Sequence, residues 1–193
     1  MHKKILIILG HPDKNTFNGA LAEAYETAAL AAGAEVRRLN LGELKFDPIL
    51  WLGYKKIQTL EPDLLQAQKD IQWAEHLVIV YPTWWSTMPA LFKGFFDRLL
   101  LPGFAFNFRA RSPFWDKRLT GKSARLIVTM DGPALFYKVY LGNPGHKIMK
   151  YGILKFCGIT PVKITSLYSV KNVSEQTKRK WLKKISKLGA KTV

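Results

Sequence analysis

Two adjacent tryptophans, Trp84 and Trp85, lie in a short loop between a predicted strand and a predicted helix. The strand is an apolar, β-branched run at 77–80, and the helix opens at Pro89, because proline suits a first helical turn. Since loops usually lie in water, large aromatic side chains there are typical of a site that holds a flat, apolar ring. Open α/β sheets bind their ligands at this carboxyl edge of the strands. Taken alone, the pair could equally be core or interface residues.

The loop after the first apolar run, GHPDKNTFNG at 10–19, is polar and precedes an Ala-rich helix. Asn15, Thr16 or Asn18 can cap that helix. Free amides at a helix start, a threonine hydroxyl and the positive end of the helix dipole together favour binding of a phosphate. The alternative is that Thr16 and Asn18 are only caps. The loop has neither GxGxxG nor a Walker A motif, which disfavours a dinucleotide fingerprint and a P-loop.

His11 is the histidine best placed for a function, because it lies in this first loop. No Cys or His spacing indicates a metal site, and no obvious nucleophile accompanies a general base. Hydrogen bonding to an anionic group is therefore the functional interpretation of His11, and plain loop packing is the alternative. His146, in the sequence NPGHK, begins a predicted helix, where capping or surface exposure is favoured over catalysis.

The tripeptide Thr129-Met130-Asp131 closes the fourth predicted strand and should meet the same crevice as the tryptophan loop. Its backbone could bind the edge of a ligand, although the following Asp-Gly-Pro sequence equally predicts a simple turn. Tyr137, farther along the chain, could line a substrate pocket or merely pack. The residues alone leave both pairs of alternatives open.

Apolar strand-like runs alternate with helical patterns along the chain, which predicts a parallel sheet covered by helices on both faces. The predicted strands are 5–9, 35–39, 77–81, 124–129 and 162–166; the predicted helices are 16–32, 63–74, 89–99, 146–157 and 174–188. Two long irregular segments, 40–63 and 130–145, leave strand ends directly and should rim the same end of the sheet. An aromatic-rich loop at 102–119 follows a helix instead.

The 193 residues carry a formal charge of +16, and 48% of them are apolar, a composition typical of one globular domain. No apolar run approaches the roughly 20 residues of a membrane-spanning helix. The single cysteine, Cys157, cannot form an internal disulfide, so we expect a buried thiol in a cytoplasmic protein. Lysines concentrate at 178–191 on a predicted helix, where a solvated face is favoured over a nucleic-acid surface. Anionic nucleotides, acidic lipids and an acidic protein partner stay open as molecules that the positive charge could attract.

Three stretches carry a resemblance to a known family: LGHPDKNTFNGAL, WAEHLVIVYPTWWSTMPALFKGFFDRLLLPGFAF and ILKFCGI. The chain resembles the flavodoxin-like NAD(P)H:quinone oxidoreductases, which include mammalian quinone reductases and bacterial drug-modulator and potassium-efflux ancillary flavoproteins. The resemblance implies one flavodoxin-like domain over residues 1–193, with a doubly wound, five-stranded parallel sheet in the order 2-1-3-4-5. It also implies FMN or FAD as cofactor, NAD(P)H as co-substrate, a quinone or similar electrophile as acceptor, and a homodimer.

Two other functions are compatible with the same resemblance. One is a flavin-binding regulatory subunit of a membrane transporter, docked through the basic surface. The other is an electron-transfer flavodoxin, which ranks lowest because flavodoxins usually carry acidic surfaces. In the homodimer, the aromatic loop at 102–115 would supply contacts to the partner.

The resemblance also implies which residues hold the flavin. The family's frequent Thr-Thr-Gly-Gly is Thr-Met-Asp-Gly here, a departure that affects substrate specificity more than flavin binding. Tyr137 is the nearest candidate for the family's catalytic tyrosine, and no residue clearly replaces the accompanying histidine. His11, Thr16, Phe17 and Asn18 should hold the phosphate region; Pro82, Thr83, Trp84, Trp85 and Ser86 should lie along the isoalloxazine; Thr129, Met130 and Asp131 should complete its polar edge.

Overall fold

Five parallel strands form the central sheet of the computed structural model, which describes residues 2–56 and 58–192. The strands of the central sheet are β1 (Lys4–Leu9), β2 (Glu35–Asn40), β3 (His76–Pro82), β6 (Ser123–Thr129) and β7 (Val162–Leu167). Two further short strands are β4 (Phe106–Phe108) and β5 (Trp115–Lys117). The spatial order in the sheet is β2-β1-β3-β6-β7, and β4 and β5 pair separately. Counted among the sheet strands alone, this is the order 2-1-3-4-5, so the predicted flavodoxin-like fold is confirmed.

Helices cover both faces of the sheet, as the alternating pattern predicts. Thr16 caps the first helix, because its hydroxyl oxygen accepts a hydrogen bond from the Gly19 amide at 3.4 Å. Ser174 caps the last helix in the same way, accepting from the Thr177 amide at 3.3 Å. The helices are α1 (Phe17–Ala31), α2 (Pro62–Trp73), α3 (Ala90–Leu99), α4 (Pro144–Lys147) and α5 (Glu175–Ala190), with a 3-10 turn at Leu41–Glu43 and π-helical segments at Phe136–Tyr140 and Ile148–Lys155.

Apolar side chains of the strands point alternately into two core layers. On one face, Ile5 and Ile7 pack with Leu21 of α1 and Ile185 of α5. The other face packs against α2, α3 and the π-helical segment that continues from α4. The central strands β1, β3 and β6 are therefore buried on both faces, which explains why their sequences are nearly continuous apolar runs, whereas the edge strands β2 and β7 are only partly buried.

Three regions differ from the sequence prediction. The aromatic loop at 102–119 contains the short β4–β5 hairpin, because Phe106 and Trp115 both pack on Phe156, with ring centroids 5.0 Å and 4.5 Å away. The irregular segment 130–145 includes the π-helical turn Phe136–Tyr140. The helix predicted at 146–157 begins earlier, at Pro144, and is π-helical over most of its length.

Cys157 is buried, as predicted, and burial raises the pKa of its thiol to about 12. The thiol therefore stays protonated and unreactive near neutral pH. In the part of the chain that the structure describes, no helix combines the length and apolar character needed to span a membrane. The same residues include no group of three His, Cys, Asp or Glu side chains placed to hold a metal ion.

Candidate functional site

The segments that follow β1, β3 and β6 meet at the carboxyl edge of the sheet. The Thr129 hydroxyl donates a hydrogen bond to the Asn18 side-chain oxygen at 3.0 Å, and both residues are buried. The His11 ring lies edge-on to the Trp84 ring, with centroids 5.7 Å apart. The structure therefore brings together three segments that the sequence analysis singled out separately.

The first loop is folded back on the start of α1 by its own hydrogen bonds. The Asp13 amide donates to His11 Nδ1 at 2.9 Å, and the Asn15 amide donates to the Asp13 carboxylate at 2.8 Å. Because Nδ1 of His11 accepts this hydrogen bond, Nε2 is the ring nitrogen that carries a hydrogen. Gly19 has no room for a side chain, since a Cβ would lie 1.8 Å from the Lys14 carbonyl oxygen. His11 can therefore present an N–H donor to an anion at this edge.

The first turn of α1 supplies two further donors. The amides of Phe17 and Asn18 are the first in the helix, where no preceding turn provides an acceptor. Together with the Thr16 side chain they lie at a helix start of the kind that can bind an anion. The ring of Phe17 is turned away to pack against Trp181 of α5, with centroids 6.2 Å apart. Phe17 can thus contribute its backbone to this site, while its side chain belongs to the core.

The tryptophan loop is a tight turn held in an unfavourable backbone conformation. Trp84 and Thr87 exchange two backbone hydrogen bonds, at 3.3 Å and 3.0 Å. The two central residues are left-handed, with φ of 49° at Trp85 and 62° at Ser86. Such turns favour Asn and Gly, so a Trp-Ser pair there carries strain. The turn holds the Trp85 side chain 98% exposed at the edge of the crevice.

The neighbouring strand ends fix this turn in place. Pro82 is buried in β3, and the Thr83 amide donates to the Thr129 carbonyl oxygen at 2.8 Å. The Met130 side chain is buried in the core, and its amide donates to the Leu167 carbonyl oxygen at 2.8 Å. Asp131 is exposed on the rim, where its carboxylate lies 3.0 Å from the Lys171 ammonium. Of the three residues that close β6, Asp131 alone turns its side chain to solvent.

A small cavity beside the tryptophan turn contains Tyr137 and residues that sequence reasoning missed. Its lining includes Thr83, Ser86, Tyr137, Asn143 and His146. Asn143 is left-handed, with φ of 53°. Its side-chain oxygen is buried and has no hydrogen-bond partner among residues 2–56 and 58–192. The glycine- and proline-rich tract LGNPGH is the signal that could have indicated a shaped loop here.

Glycines let the two sides of this cavity approach each other. A Cβ on Gly145 would lie 2.7 Å from the Ser86 carbonyl oxygen, and one on Gly132 would lie 2.9 Å from the Tyr137 ring. A larger residue at Gly145 would push the two loops apart, and one at Gly132 would displace the Tyr137 ring. Tyr137 is half-buried, with its ring 6.4 Å from that of Tyr168.

Neither capping nor surface exposure, the two roles that the sequence favoured for His146, describes its position, because Asn143 is the N-cap residue of α4. His146 is half-buried, with Nε2 3.2 Å from the Ser166 hydroxyl oxygen on β7. Burial lowers the pKa of His146 below its ordinary value, so the ring is neutral near pH 7. No local pattern predicts this contact, because the partner serine lies 20 residues away on the edge strand.

A separate apolar groove of about 510 Å³ lies between α3, the β4–β5 hairpin and the helix that follows α4. Phe96, Phe106, Ile153 and Phe156 line it. Phe108, at its border, is 70% exposed. A groove with so little polar lining does not fit a charged ligand.

Comparisons with known proteins agree with this architecture. Residues 3–189 match a family described as having a flavodoxin-like fold. The chain is 30% identical to NAD(P)H dehydrogenase [quinone] 1 of Cavia porcellus, over 87% of this chain and 69% of the relative. An NAD(P)H:quinone oxidoreductase from Methanothermobacter marburgensis is 19% identical and superposes with a TM-score of 0.87 over 100% of both chains. An FMN-dependent NADH-azoreductase from Bacillus anthracis, solved in complex with FMN, is 18% identical, with a TM-score of 0.74 over 100% and 99% of the two chains.

Proposed function

Because the chain belongs to the flavodoxin-like NAD(P)H:quinone oxidoreductase family, we propose that it is a flavin-dependent enzyme that transfers hydride from NAD(P)H to a quinone or similar electrophile. The observation that carries the proposal is the convergence of the His11 loop, the tryptophan turn and the end of β6 at one edge. When bound, a flavin supplies the chemistry, accepting hydride from the nicotinamide and passing it to the acceptor. The protein binds the flavin, orients the flavin and its substrates, and excludes water from the site.

The donor set at the start of α1 fits the phosphate of FMN or FAD. His11 Nε2 and the amides of Phe17 and Asn18 are able to donate to phosphate oxygens. The Thr16 hydroxyl, which donates to the Asp13 carbonyl oxygen at 3.3 Å, would have to rotate to do the same. The dipole of the 15-residue helix α1 adds favourable positive potential at this end.

The tryptophan turn fits the flat ring system. Trp85 offers an exposed apolar face, and the backbone of 82–86 offers polar groups beside it. Strained, non-glycine residues persist where the surrounding structure over-determines them and where function uses the resulting shape. Thr129 and Asp131 would complete the polar edge of the site, with Met130 fixing the strand end between them.

Tyr137 is the residue we assign to the substrate side of the site. It shares the small cavity with Asn143 and His146, next to the tryptophan turn. A phenol can donate a hydrogen bond to an acceptor carbonyl oxygen that gains charge during reduction. The unpartnered Asn143 oxygen can accept a hydrogen bond from an N–H or O–H of a bound ligand.

The same proposal includes a homodimer. The apolar groove and the exposed rings of Phe108 and Phe114, 70% and 68% exposed, form a surface that a second copy would cover. We also propose a cytoplasmic location, because NAD(P)H is an intracellular reductant and the one cysteine is a free thiol. Sedimentation velocity should show a dimer, and substitution of Phe108 by Asp should shift the protein toward monomer.

An absorbance spectrum of the purified protein tests the flavin directly, and mass spectrometry of the released cofactor distinguishes FMN from FAD. Steady-state oxidation of NADH and of NADPH, with a panel of quinones, azo dyes and nitroaromatics, then tests the reaction. We expect a flavin spectrum and quinone-dependent turnover. Flavin-loaded protein that reduces none of these acceptors would contradict the proposed enzyme, and protein that binds no flavin would contradict the site.

A further inference from the structure

The lysines of α5 form a continuous stripe along its exposed side. We call this the α5 stripe; it contains Lys180, Lys183, Lys184, Lys187 and Lys191, all of them exposed. Their spacing of three and four residues places them on one side of the helix. At 1.5 Å per residue the stripe is about 16 Å long. Its side chains, with Leu188, enclose a shallow groove of about 400 Å³.

No acidic side chain neutralises the α5 stripe. Across residues 2–56 and 58–192, the ion pairs include Lys178 with Glu175 but none of the five stripe lysines. Like charges three or four positions apart repel on a helix, whereas the Lys93–Asp97 pair on α3 shows the favourable arrangement. A helix that only needs to be solvated gains from mixed signs. The uniform sign therefore indicates a surface complementary to an extended anion.

The α5 helix lies flush with the protein and cannot project into a groove. A Cβ on Gly189 would lie 2.3 Å from the Tyr25 carbonyl oxygen of α1, and Ile185 is fully buried between the helix and the sheet. Reading duplex DNA would require a helix that enters the major groove. Binding of single strands would require exposed rings for stacking, but Trp181, the one aromatic residue of α5, packs against Phe17. The shape therefore favours a flat anionic surface over a nucleic acid.

Positive charge continues beyond the end of the helix. The Lys3 ammonium donates to the Thr192 carbonyl oxygen at 2.5 Å, which places Lys3 next to the last turn of α5. Lys3 and Lys163 also flank a cavity at the amino edge of the sheet. The candidate functional site lies at the opposite, carboxyl edge. A partner on this basic face would therefore leave the crevice uncovered.

We propose that the α5 stripe, extended by Lys3 and Lys163, docks the protein on the anionic phospholipid headgroups of a membrane surface. Lysine carries a compact, strongly hydrated charge on a flexible stem, which suits diffuse attraction to a headgroup layer. Clusters of four to eight basic residues on one helix are typical of binding to acidic lipids. The association is peripheral and reversible, and it depends on the charges alone, whether or not the proposed reductase activity is present.

Vesicle co-sedimentation tests the docking. We expect the purified protein to sediment with phosphatidylcholine vesicles containing about one third phosphatidylserine at low salt, but not with pure phosphatidylcholine. About 0.5 M NaCl should release it, because salt at this level screens charges beyond several ångströms. Absence of binding to the acidic vesicles would overturn the proposal. Tighter binding to a DNA duplex than to the acidic vesicles, compared at one salt concentration, would also overturn it in favour of a nucleic acid.

A pair of matched double variants separates the stripe from net charge. K183E/K187E should lower partitioning onto acidic vesicles by at least about tenfold. K56E/K69E changes the net charge by the same amount at exposed sites elsewhere and should lower partitioning onto acidic vesicles by less than about threefold. Circular dichroism and the melting temperature of K183E/K187E should show a folded protein, since mixed signs relieve repulsion along α5. Equal loss in both variants would show that overall charge, and not the stripe, drives binding.

Discussion

The two long irregular segments that leave the carboxyl edge of the sheet differ in how they are anchored to the rest of the protein. Segment 40–63 is anchored by the guanidinium of Arg98, which is 0% exposed and donates to the Asp47 and Thr59 carbonyl oxygens and to the Glu61 carboxylate. In segment 130–145, Leu135, Val139 and Tyr140 are more than 70% exposed, and the buried Asn143 oxygen lacks a partner within the described part of the chain.

This difference separates a structural loop from a binding loop. A buried arginine that satisfies several acceptors fixes one conformation, because moving it leaves charge and carbonyl groups unpaired. Segment 40–63 also contains a buried oxygen without a partner among residues 2–56 and 58–192, Gln58 Oε1, and the exposed rings of Trp51 and Tyr54, so these features alone do not mark a binding loop. Segment 130–145 differs because it contacts the tryptophan turn, where Gly145 approaches the Ser86 carbonyl oxygen. We therefore expect stability to depend on segment 40–63, and ligand binding to depend on segment 130–145 and the tryptophan turn that it contacts.

The largest expected effect is on stability, from Arg98→Ala. The change leaves the Glu61 carboxylate and the Asp47 and Thr59 carbonyl oxygens without their donor, and should lower the free energy of unfolding by about 3–5 kcal/mol. Urea unfolding measures this change in the free energy of unfolding. The control is Arg109→Ala, which removes an exposed pair with Asp116 and should cost less than about 1 kcal/mol. Equal effects of the two variants would remove the contrast between anchored and exposed cations.

Trp85→Ala should act on flavin retention and spare the fold. The indole is 98% exposed, so the free energy of unfolding of the flavin-free protein should change by less than about 0.5 kcal/mol. Loss of an apolar face against the ring should weaken flavin binding by about 1–3 kcal/mol, or roughly 5- to 150-fold, measured by fluorescence titration. The matched control is Trp51→Ala, because the Trp51 side chain is also exposed (69%) but lies on segment 40–63. Unchanged flavin affinity in Trp85→Ala would mean that the tryptophan turn points away from the cofactor.

Gly145→Ala tests the contact between segment 130–145 and the tryptophan turn. Its Cβ would lie 2.7 Å from the Ser86 carbonyl oxygen, so one loop must shift, at a cost of about 1–2 kcal/mol. Gly152→Ala is the control, because a Cβ there meets nothing within 4 Å. We expect thermal unfolding to detect the loss in Gly145→Ala only, together with weaker flavin retention. A stable Gly145→Ala protein with normal flavin affinity would show that this close approach has no role.

The smallest expected effect is a pH dependence from His146. Burial holds the pKa of His146 below its ordinary value, so the unfolded chain takes up a proton at a higher pH than the folded protein does. Stability from this residue is therefore complete above about pH 6.5 and decreases as the pH falls below it. Between pH 7.5 and about 5.5, His146→Gln should lose less stability than the parent, by under about 1 kcal/mol.

Urea unfolding of both proteins at each pH makes the comparison. His76, whose pKa burial lowers to about 3, contributes a larger decrease of the same sign, but it is present in both proteins and cancels in the difference. A parent and variant with identical pH dependence would show that His146 is as exposed in solution as a surface histidine.

The sequence predicted the elements that local patterns specify. The five sheet strands were each placed within one residue of their observed ends. Continuous apolar runs mark β1, β3 and β6, which are buried on both faces, whereas the edge strands β2 and β7 are less apolar and only partly buried. The β4–β5 hairpin was missed, since strands of three residues show no periodicity and are held by packing on Phe156. The tryptophan turn was placed as a loop, but its left-handed Trp85 and Ser86 contradict the usual residue preferences of such turns.

By itself, the sequence determined the fold class and narrowed the cap of the first helix to Asn15, Thr16 or Asn18, because both depend on neighbours along the chain. It also predicted the carboxyl edge as the place of the site. Only the tertiary structure decided which groups meet there. The hydrogen bond between Asn18 and Thr129 joins residues 111 positions apart, and the cavity that contains Asn143 and His146 forms only where two loops close on each other. Contacts of this kind depend on the packing of the whole sheet, and no local pattern encodes them.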